Sequence, residues 1–200
     1  MRKAIVSGLA AFVLGTVTLA LPAASSNSED IVVRVQKAGA GLEVAAELTV
    51  AAAAEETWEV LTDYDRMAQI LSSVDASRVV KREGQRLEVA QTSHIGFGPF
   101  KLTLNNLRRI ELVPKREIRS HLLQGDLKAA DFTTRLVDEG TEMRVVWQGR
   151  IVPGPLASLA VTPAAVEAEL RQLCRELRAE ILRRKAGRSA ASCRPGKTCD

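Results

Sequence analysis

The chain has few of the residues that build metal sites and nucleic-acid interfaces. Its 200 residues include two His, three Cys, four Phe, two Trp and one Tyr. His94 and His121 show no paired ligand spacing with the cysteines, so we expect no metal site. Nucleic-acid proteins typically interleave basic and aromatic residues over one face, and aromatic residues are scarce here. We therefore expect no nucleic-acid partner.

The sequence also lacks the motifs of common catalytic machinery, such as a nucleophile elbow, a Ser-His-Asp arrangement or a phosphate-binding loop. The acid or base of a cyclase would have to come from a short set of residues: His94, His121, Asp63, Tyr64, Asp126 or Asp131. Strand parity directs both histidines toward solvent. The segment from Asp63 to Asp65 ends a helix, where we expect it to cap and pack. We assign no catalytic residue and no cofactor.

Long apolar runs are absent except at the N terminus. Met1-Arg2-Lys3 precede an apolar run from Ala4 to Leu21, and small residues follow at 23–26. This is the layout of a secretory signal, so we predict that residues 1–24 are a signal peptide and that the protein is exported to the periplasm. The alternative is an uncleaved N-terminal membrane anchor.

The net charge of +4 is concentrated near the C terminus. Residues 171–200 carry nine Lys or Arg against three acidic residues, and residues 25–170 are net acidic. A solvated helix face explains this basic segment. Peripheral contact with an anionic membrane, or with a partner, is the alternative.

Three cysteines remain after the predicted signal. Cys193 and Cys199 flank a turn-forming Arg-Pro-Gly-Lys-Thr segment, and an oxidising compartment would let them close a small disulfide loop. Cys174 lies in a helical apolar stripe, where we predict a buried, unreactive thiol. For residues 187–200 we predict a polar tail without a fixed fold, apart from the disulfide clip.

Strand signals dominate the first three quarters of the mature chain. Ile31–Gln36 and Leu42–Val50 enclose a Gly-rich turn, which predicts a hairpin. Two short helices follow, over 51–61 and 66–71. From Ser77 to about Ile151, turn signals recur at hairpin spacing and apolar residues alternate. This pattern predicts an antiparallel meander with one apolar face.

The apolar face of this sheet requires a cover, which the last part of the chain supplies. Thr162-Pro163 is typical of an N-cap followed by proline at the first helical position. Apolar residues then recur every three or four positions from Val166 to Ile181. They predict an amphipathic helix through about Lys185, ended by Gly187. Sheet and helix together form one α+β domain over residues 25–186.

The segment Val-Ala-Ala-Ala-Ala-Glu-Glu-Thr-Trp-Glu-Val-Leu-Thr-Asp-Tyr-Asp at 50–65 resembles the first-helix motif of the START-like (SRPBCC) superfamily, in its polyketide cyclase/dehydrase and coenzyme Q-binding branch. Residues 125–136 and 140–145 are similar to strands of that branch, and the resemblance spans roughly 44–184. It implies the helix-grip fold: a curved antiparallel sheet of about six to seven strands, two short helices after the first core strand, and a long C-terminal helix across the sheet. Members bind lipids, isoprenoid quinones, plant hormones and polyketides, and some are enzymes.

A long helix over a bent sheet leaves an apolar cavity with a few polar groups that orient a ligand. Strand parity and helical spacing select the side chains that face it. From the sheet we predict Leu87, Val89, Gln91, Leu102, Leu104, Leu122, Phe132, Thr134, Met143, Val145 and Trp147, and from the helix Val166, Leu170, Leu173 and Leu177. Simple core packing is the alternative for each of them.

Three functions remain open at this point. We favour a monomeric, exported carrier for a hydrophobic small molecule such as a lipid, an isoprenoid quinone or a polyketide-like compound, bound by burial of apolar area. A cyclase or dehydratase acting on an aromatic or polyketide-like substrate would need an acid or base inside the cavity. A membrane- or partner-binding module would use the basic C-terminal helix.

Overall fold

A computed structural model describes residues 30–97 and 100–192. The predicted signal peptide and the Cys193–Cys199 pair lie outside the described residues. The elements in chain order are β1 Ile31–Ala38, β2 Gly41–Val50, α1 Ala54–Leu61, α2 Met67–Ile70, β3 Val74–Glu83, β4 Arg86–Phe97, β5 Phe100–Val113, β6 Glu117–Gly125, β7 Leu127–Asp138, β8 Met143–Pro153 and α3 Pro163–Ser192.

The eight strands form one antiparallel sheet in the order β1-β2-β8-β7-β6-β5-β4-β3. Each strand from β3 to β8 pairs with the next one along the chain, and β2 pairs with β8. The predicted α+β helix-grip architecture is confirmed, with eight strands instead of six or seven. The edge strands β1 and β3 are mostly exposed, so apolar alternation, the signal used to count strands, is weak in both.

Two hairpin turns depend on glycine. Gly39, between β1 and β2, has a φ of 60°, and Gly84, between β3 and β4, has a φ of 59°. A side chain is disfavoured at positive φ because its Cβ crowds the backbone. These two glycines therefore allow the tight connections that the hairpin prediction required.

The C-terminal helix begins where the sequence predicts. The Oγ1 atom of Thr162 accepts a hydrogen bond of 3.2 Å from the backbone N–H of Ala165, which is the N-cap interaction expected before Pro163. This contact satisfies a backbone donor that the first helical turn leaves without an internal partner.

The end of α3 differs from the prediction. The helix continues past Gly187 to Ser192, so residues 187–192 are helical and not part of an unstructured tail. Gly187 does not adopt the left-handed conformation by which glycine ends helices, and Arg188 in the added turn binds Glu59 of α1. Among the described residues, no helix is long and apolar enough to cross a membrane.

Two clusters of buried apolar side chains lie between the sheet and the helices. The larger includes Cys174, Leu177 and Ile181 of α3, all at most 3% exposed, together with residues of α1, α2 and the sheet. Cys174 is a free thiol, as predicted, and burial raises its pKa to about 11. The smaller cluster surrounds Val166. Leu170 packs against both clusters, so it marks the junction between them.

Ion pairs fasten α3 to the segment between α1 and α2. Arg184 lies 2.7 Å from Asp63 and 2.6 Å from Glu180, and each of these side chains is 14% exposed. Burial alone would raise the pKa of Asp63, but hydrogen bonds from Arg66 and Arg184 outweigh it and lower that pKa. Hydrogen bonds, the largest from Arg183, lower the pKa of Glu180 to about 2 against the opposing effect of burial. Both carboxylates are therefore charged at neutral pH.

Candidate ligand-binding cavity

A cavity of about 320 Å³ lies between α3, the α1–α2 segment and the inner face of the sheet. Its wall is mostly apolar, and its volume falls within the roughly 300–1,000 Å³ typical of small-molecule sites. Two grooves of about 600 and 590 Å³ are larger. They run along strands and are lined largely by polar side chains that point away from the core, so they offer an apolar ligand little burial.

Most of the predicted wall residues lie where parity and helical spacing put them. Nine of the fifteen line the cavity: Gln91, Leu104, Phe132, Thr134, Trp147, Val166, Leu170, Leu173 and Leu177. They come from four strands and from the helix, so the predicted face of the sheet is the one that α3 covers. Their role in binding a ligand stays a prediction.

The other six predicted wall residues lie outside the cavity. Leu87, Val89, Met143 and Val145 are fully buried in the larger apolar cluster, where packing leaves no space. Leu102 packs beside the smaller cluster. Leu122 is half-buried, and a register shift next to its partner Arg108 breaks the alternation on which the parity argument relied.

Arg108 of β5 is the main wall residue that the sequence reasoning missed. Its Nη2 donates a hydrogen bond to Oε1 of Gln91, and its Nε is buried without a hydrogen-bond partner. No carboxylate in the described part of the chain lies within ion-pair distance of it. Burial lowers the pKa of Arg108, and the nearby Tyr64 opposes that shift. A guanidinium nevertheless stays protonated in proteins, so the wall carries a positive charge.

Tyr64 supplies a second polar group from the short 3-10 turn that precedes α2. Burial raises the pKa of its phenol to about 12, and the charge of Arg108 moderates that rise. The phenol therefore keeps its proton at neutral pH and can donate a hydrogen bond. The wall also contains Oε1 of Glu169 and Oγ of Ser120, which are both buried without a protein hydrogen-bond partner.

His94 lines the cavity, which corrects the prediction that it faces solvent. Its Nδ1 lies 3.0 Å from Oδ1 of Asp75, and its Nε2 lies 3.3 Å from Nζ of Lys101. Asp75 is the extra residue of a bulge in β3, since Val74 pairs with Ser93 while Ala76 pairs with Thr92. A bulge re-aims side chains, and simple alternation does not anticipate it. His121 is 62% exposed, as predicted, and contacts Asp131.

Phe132 owes its place in the wall to a glycine on the neighbouring strand. Gly149 of β8 pairs directly with Phe132 of β7. A Cβ atom at Gly149 would lie 2.4 Å from the Cδ1 atom of the Phe132 ring and 2.3 Å from the carbonyl oxygen of Asp131. Only glycine therefore leaves room for the ring to lie across the adjacent strand.

The sequence contained a signal for Arg108 but none for Tyr64. Leu104, Arg108 and Ile110 share one parity in β5 and all line the cavity, so a charged residue on an apolar face marked Arg108 as unusual. Tyr64 sits in an irregular turn, where neither helical nor strand periodicity predicts the direction of a side chain.

The family described as polyketide cyclase/dehydrase and lipid transport matches residues 42–181 of the chain. A STAR-related lipid transfer protein from Xanthomonas axonopodis has a similar structure, with a TM-score of 0.62 and 18% identity over 79% of this chain and 97% of that one. A protein from Thermus thermophilus gives 0.62 and 21% over 70% and 97%. The Zhui aromatase/cyclase from Streptomyces sp. R1128 gives 0.60 and 18% over 76% and 97%. No curated protein sequence matches the chain.

Proposed function

Because the chain belongs to the polyketide cyclase/dehydrase and lipid transport family, we propose that it is an exported carrier that binds one hydrophobic small molecule. The observation that carries this proposal is the mainly apolar cavity of about 320 Å³ beneath α3. Transfer of a ligand's apolar surface from water into this space is favourable by about 25 cal/mol per Å². The few polar wall groups would orient the ligand.

The protonation states of two wall residues favour binding over proton transfer. Arg108 and Tyr64 both hold their protons at neutral pH, since the pKa of the phenol is about 12 and the guanidinium stays charged. Neither group can therefore act as a general base there. They are suited to donating hydrogen bonds to an acceptor on the ligand.

A cyclase-type enzyme is the second candidate, and His94 is the observation that favours it. A histidine held by a carboxylate, as Asp75 holds His94, is a common arrangement for a general base. This imidazole lines the cavity and is therefore within reach of a ligand. Turnover of a polyketide-like substrate that is lost in His94→Gln, while ligand uptake persists, would favour this candidate over the carrier.

The basic face of α3 offers less support for a membrane-binding function. Arg178 binds Asp30, Arg184 binds Asp63, and Arg188 binds Glu59, so three of its cations have partners within the domain. Such paired charges attract an anionic surface less than free ones do. Peripheral membrane contact and a monomeric state stay predictions.

Export is part of the proposal because of the N-terminal sequence. A basic start, an apolar run from Ala4 to Leu21 and small residues after it are typical of a secretory signal. A carrier placed beyond the inner membrane would shield an apolar molecule from water while it crosses the periplasm. Sequencing of the N terminus of the mature protein would test the predicted removal of residues 1–24.

We expect Leu170→Arg to abolish uptake of a neutral hydrophobic probe such as N-phenyl-1-naphthylamine. Leu170 lines the cavity, so a charged side chain there would place an unpaired charge among apolar groups. Uptake, measured by probe fluorescence, should fall at least about tenfold, since each 1.4 kcal/mol is worth a factor of ten.

Leu182→Arg is the matched control, because Leu182 lies on the same helix but is 38% exposed. It should leave uptake unchanged. Circular dichroism establishes that both variants are folded. Equal uptake by folded Leu170→Arg and by the unaltered protein would contradict the proposal that the probe binds beneath α3.

A further inference from the structure

We propose that the ligand is a hydrophobic carboxylic acid whose carboxylate binds Arg108. This inference rests on the proposed function and names the chemical class of the bound molecule. It begins from the fact that the cavity wall is mostly apolar and yet contains a guanidinium. A purely apolar ligand would leave that charge without a counterpart.

The protein itself does not neutralise Arg108. Its hydrogen bond to Gln91 involves a neutral amide, and its Nε has no partner. Tyr64 is the one titratable group that measurably affects the charge of Arg108, and its phenol is protonated and therefore neutral. A charge removed from water destabilises a protein unless an opposite charge and hydrogen bonds meet it. A bound carboxylate would supply both.

Glu169 is the other charged side chain on the wall that requires an account. It extends from α3 and has one buried oxygen without a partner, but it forms no ion pair with Arg108. Its negative charge would repel a carboxylate. The two residues therefore give the cavity a direction, with the acid group of the ligand at Arg108 and away from Glu169.

The groups around Arg108 fit a carboxylate better than another polar group. A guanidinium presents several N–H donors in one plane, which suits the two oxygens of a carboxylate. The Tyr64 phenol keeps its proton, so it can donate a further hydrogen bond to the same group. The remaining wall, including Phe132, Val166 and Leu170, is apolar and would enclose the hydrocarbon part.

The test compares decanoic acid with decan-1-ol, which have the same chain length but differ in charge. Displacement of a neutral fluorescent probe gives a dissociation constant for each compound at neutral pH. The unaltered protein should bind the acid about ten to a hundred times more tightly than the alcohol, as expected for hydrogen bonds to a charged group. Arg108→Gln should lose this preference and still bind the alcohol. Arg108→Lys, which keeps the charge, should retain part of it.

Arg109→Gln is the matched control, because Arg109 is the next residue in β5 and lines a groove on the opposite side of the sheet. It should keep the full preference for the acid. Equal binding of acid and alcohol by the unaltered protein, or a preference that survives Arg108→Gln, would overturn the inference and leave the carrier proposal in place. Binding of neither compound would overturn the carrier proposal and this inference with it.

Discussion

Arg108 illustrates how a single residue can be unfavourable for folding and useful for binding. Its position on the inner face of β5 places a positive charge against apolar neighbours. The fold offers it a neutral amide and a neutral phenol but no carboxylate. A residue of this kind is more readily explained by what it binds than by what it stabilises.

Gly149 is the residue whose substitution should most directly alter the shape of the cavity wall. In Gly149→Ala the added methyl group would overlap the Phe132 ring and the backbone of Asp131, so the ring must move. Such overpacking costs about 1–3 kcal/mol of unfolding free energy. Urea unfolding measures the loss, and probe fluorescence should show weaker uptake.

Gly96→Ala provides the control for that substitution. Gly96 lies in β4, has no positive φ, and has no atom within 4 Å of the site of an added Cβ. Its replacement should change the unfolding free energy by less than about 0.5 kcal/mol. A loss of stability in Gly96→Ala as large as that in Gly149→Ala would show that the contact with Phe132 is not the cause.

Residue-level predictions succeeded where alternation is regular and failed at bulges and in irregular turns. Leu104, Phe132 and Trp147 lie in regular stretches of their strands, and parity placed them on the cavity wall. Leu122 and His94 lie beside register shifts, so counting by twos gave the wrong direction for each. Such shifts depend on pairing between strands, which one strand's sequence does not reveal.

At the level of elements, α3 combines two roles. One side roofs the cavity through Val166, Leu170 and Leu173. Farther along, the same helix is fastened to the α1–α2 segment by the contacts of Arg184. The roof is therefore held from its C-terminal half, while the residues that would touch a ligand lie in its N-terminal half.

Acid should weaken this fastening. The pKa of Glu180 is lowered from 4.5 to about 2 in the folded protein, and that of Asp63 is also lowered. A carboxylate with a lowered folded pKa contributes stability above its unfolded pKa and loses it as pH falls through the folded value. The unfolding free energy should therefore decrease between about pH 5 and pH 2, measured by urea unfolding at each pH.

Glu180→Gln should remove part of that decrease, on the order of 1–2 kcal/mol. The exposed Glu142 gives the control, since Glu142→Gln should leave the pH profile unchanged. A profile that keeps its full slope in Glu180→Gln would show that the contacts of Arg184 do not contribute to acid sensitivity.

The order of elements was predictable because each carries a strong local pattern. Alternation, Gly turns and the apolar stripe of α3 are all properties of neighbouring residues. The end of α3 was not predictable in this way, because Arg188 reaches back to Glu59 and adds a tertiary contact beyond Gly187. A glycine ends a helix by local preference, and such contacts override it.

At the scale of the whole molecule, the fold is a curved sheet closed by one long helix over a space that the side chains do not fill. Eight strands in a single antiparallel sheet supply the inner face, and α3 supplies the roof. The N-terminal hairpin completes the sheet beside β8. The proposed carrier function depends on this enclosed volume more than on any single residue.

Native mass spectrometry of the protein purified from its own host, followed by extraction and identification of the bound molecule, tests the central claim most directly. We predict one equivalent of a hydrophobic small molecule per chain, lost in Leu170→Arg and retained in Leu182→Arg. Protein that carries no such molecule, and that takes up no lipid or quinone probe when these are supplied, would contradict the claim.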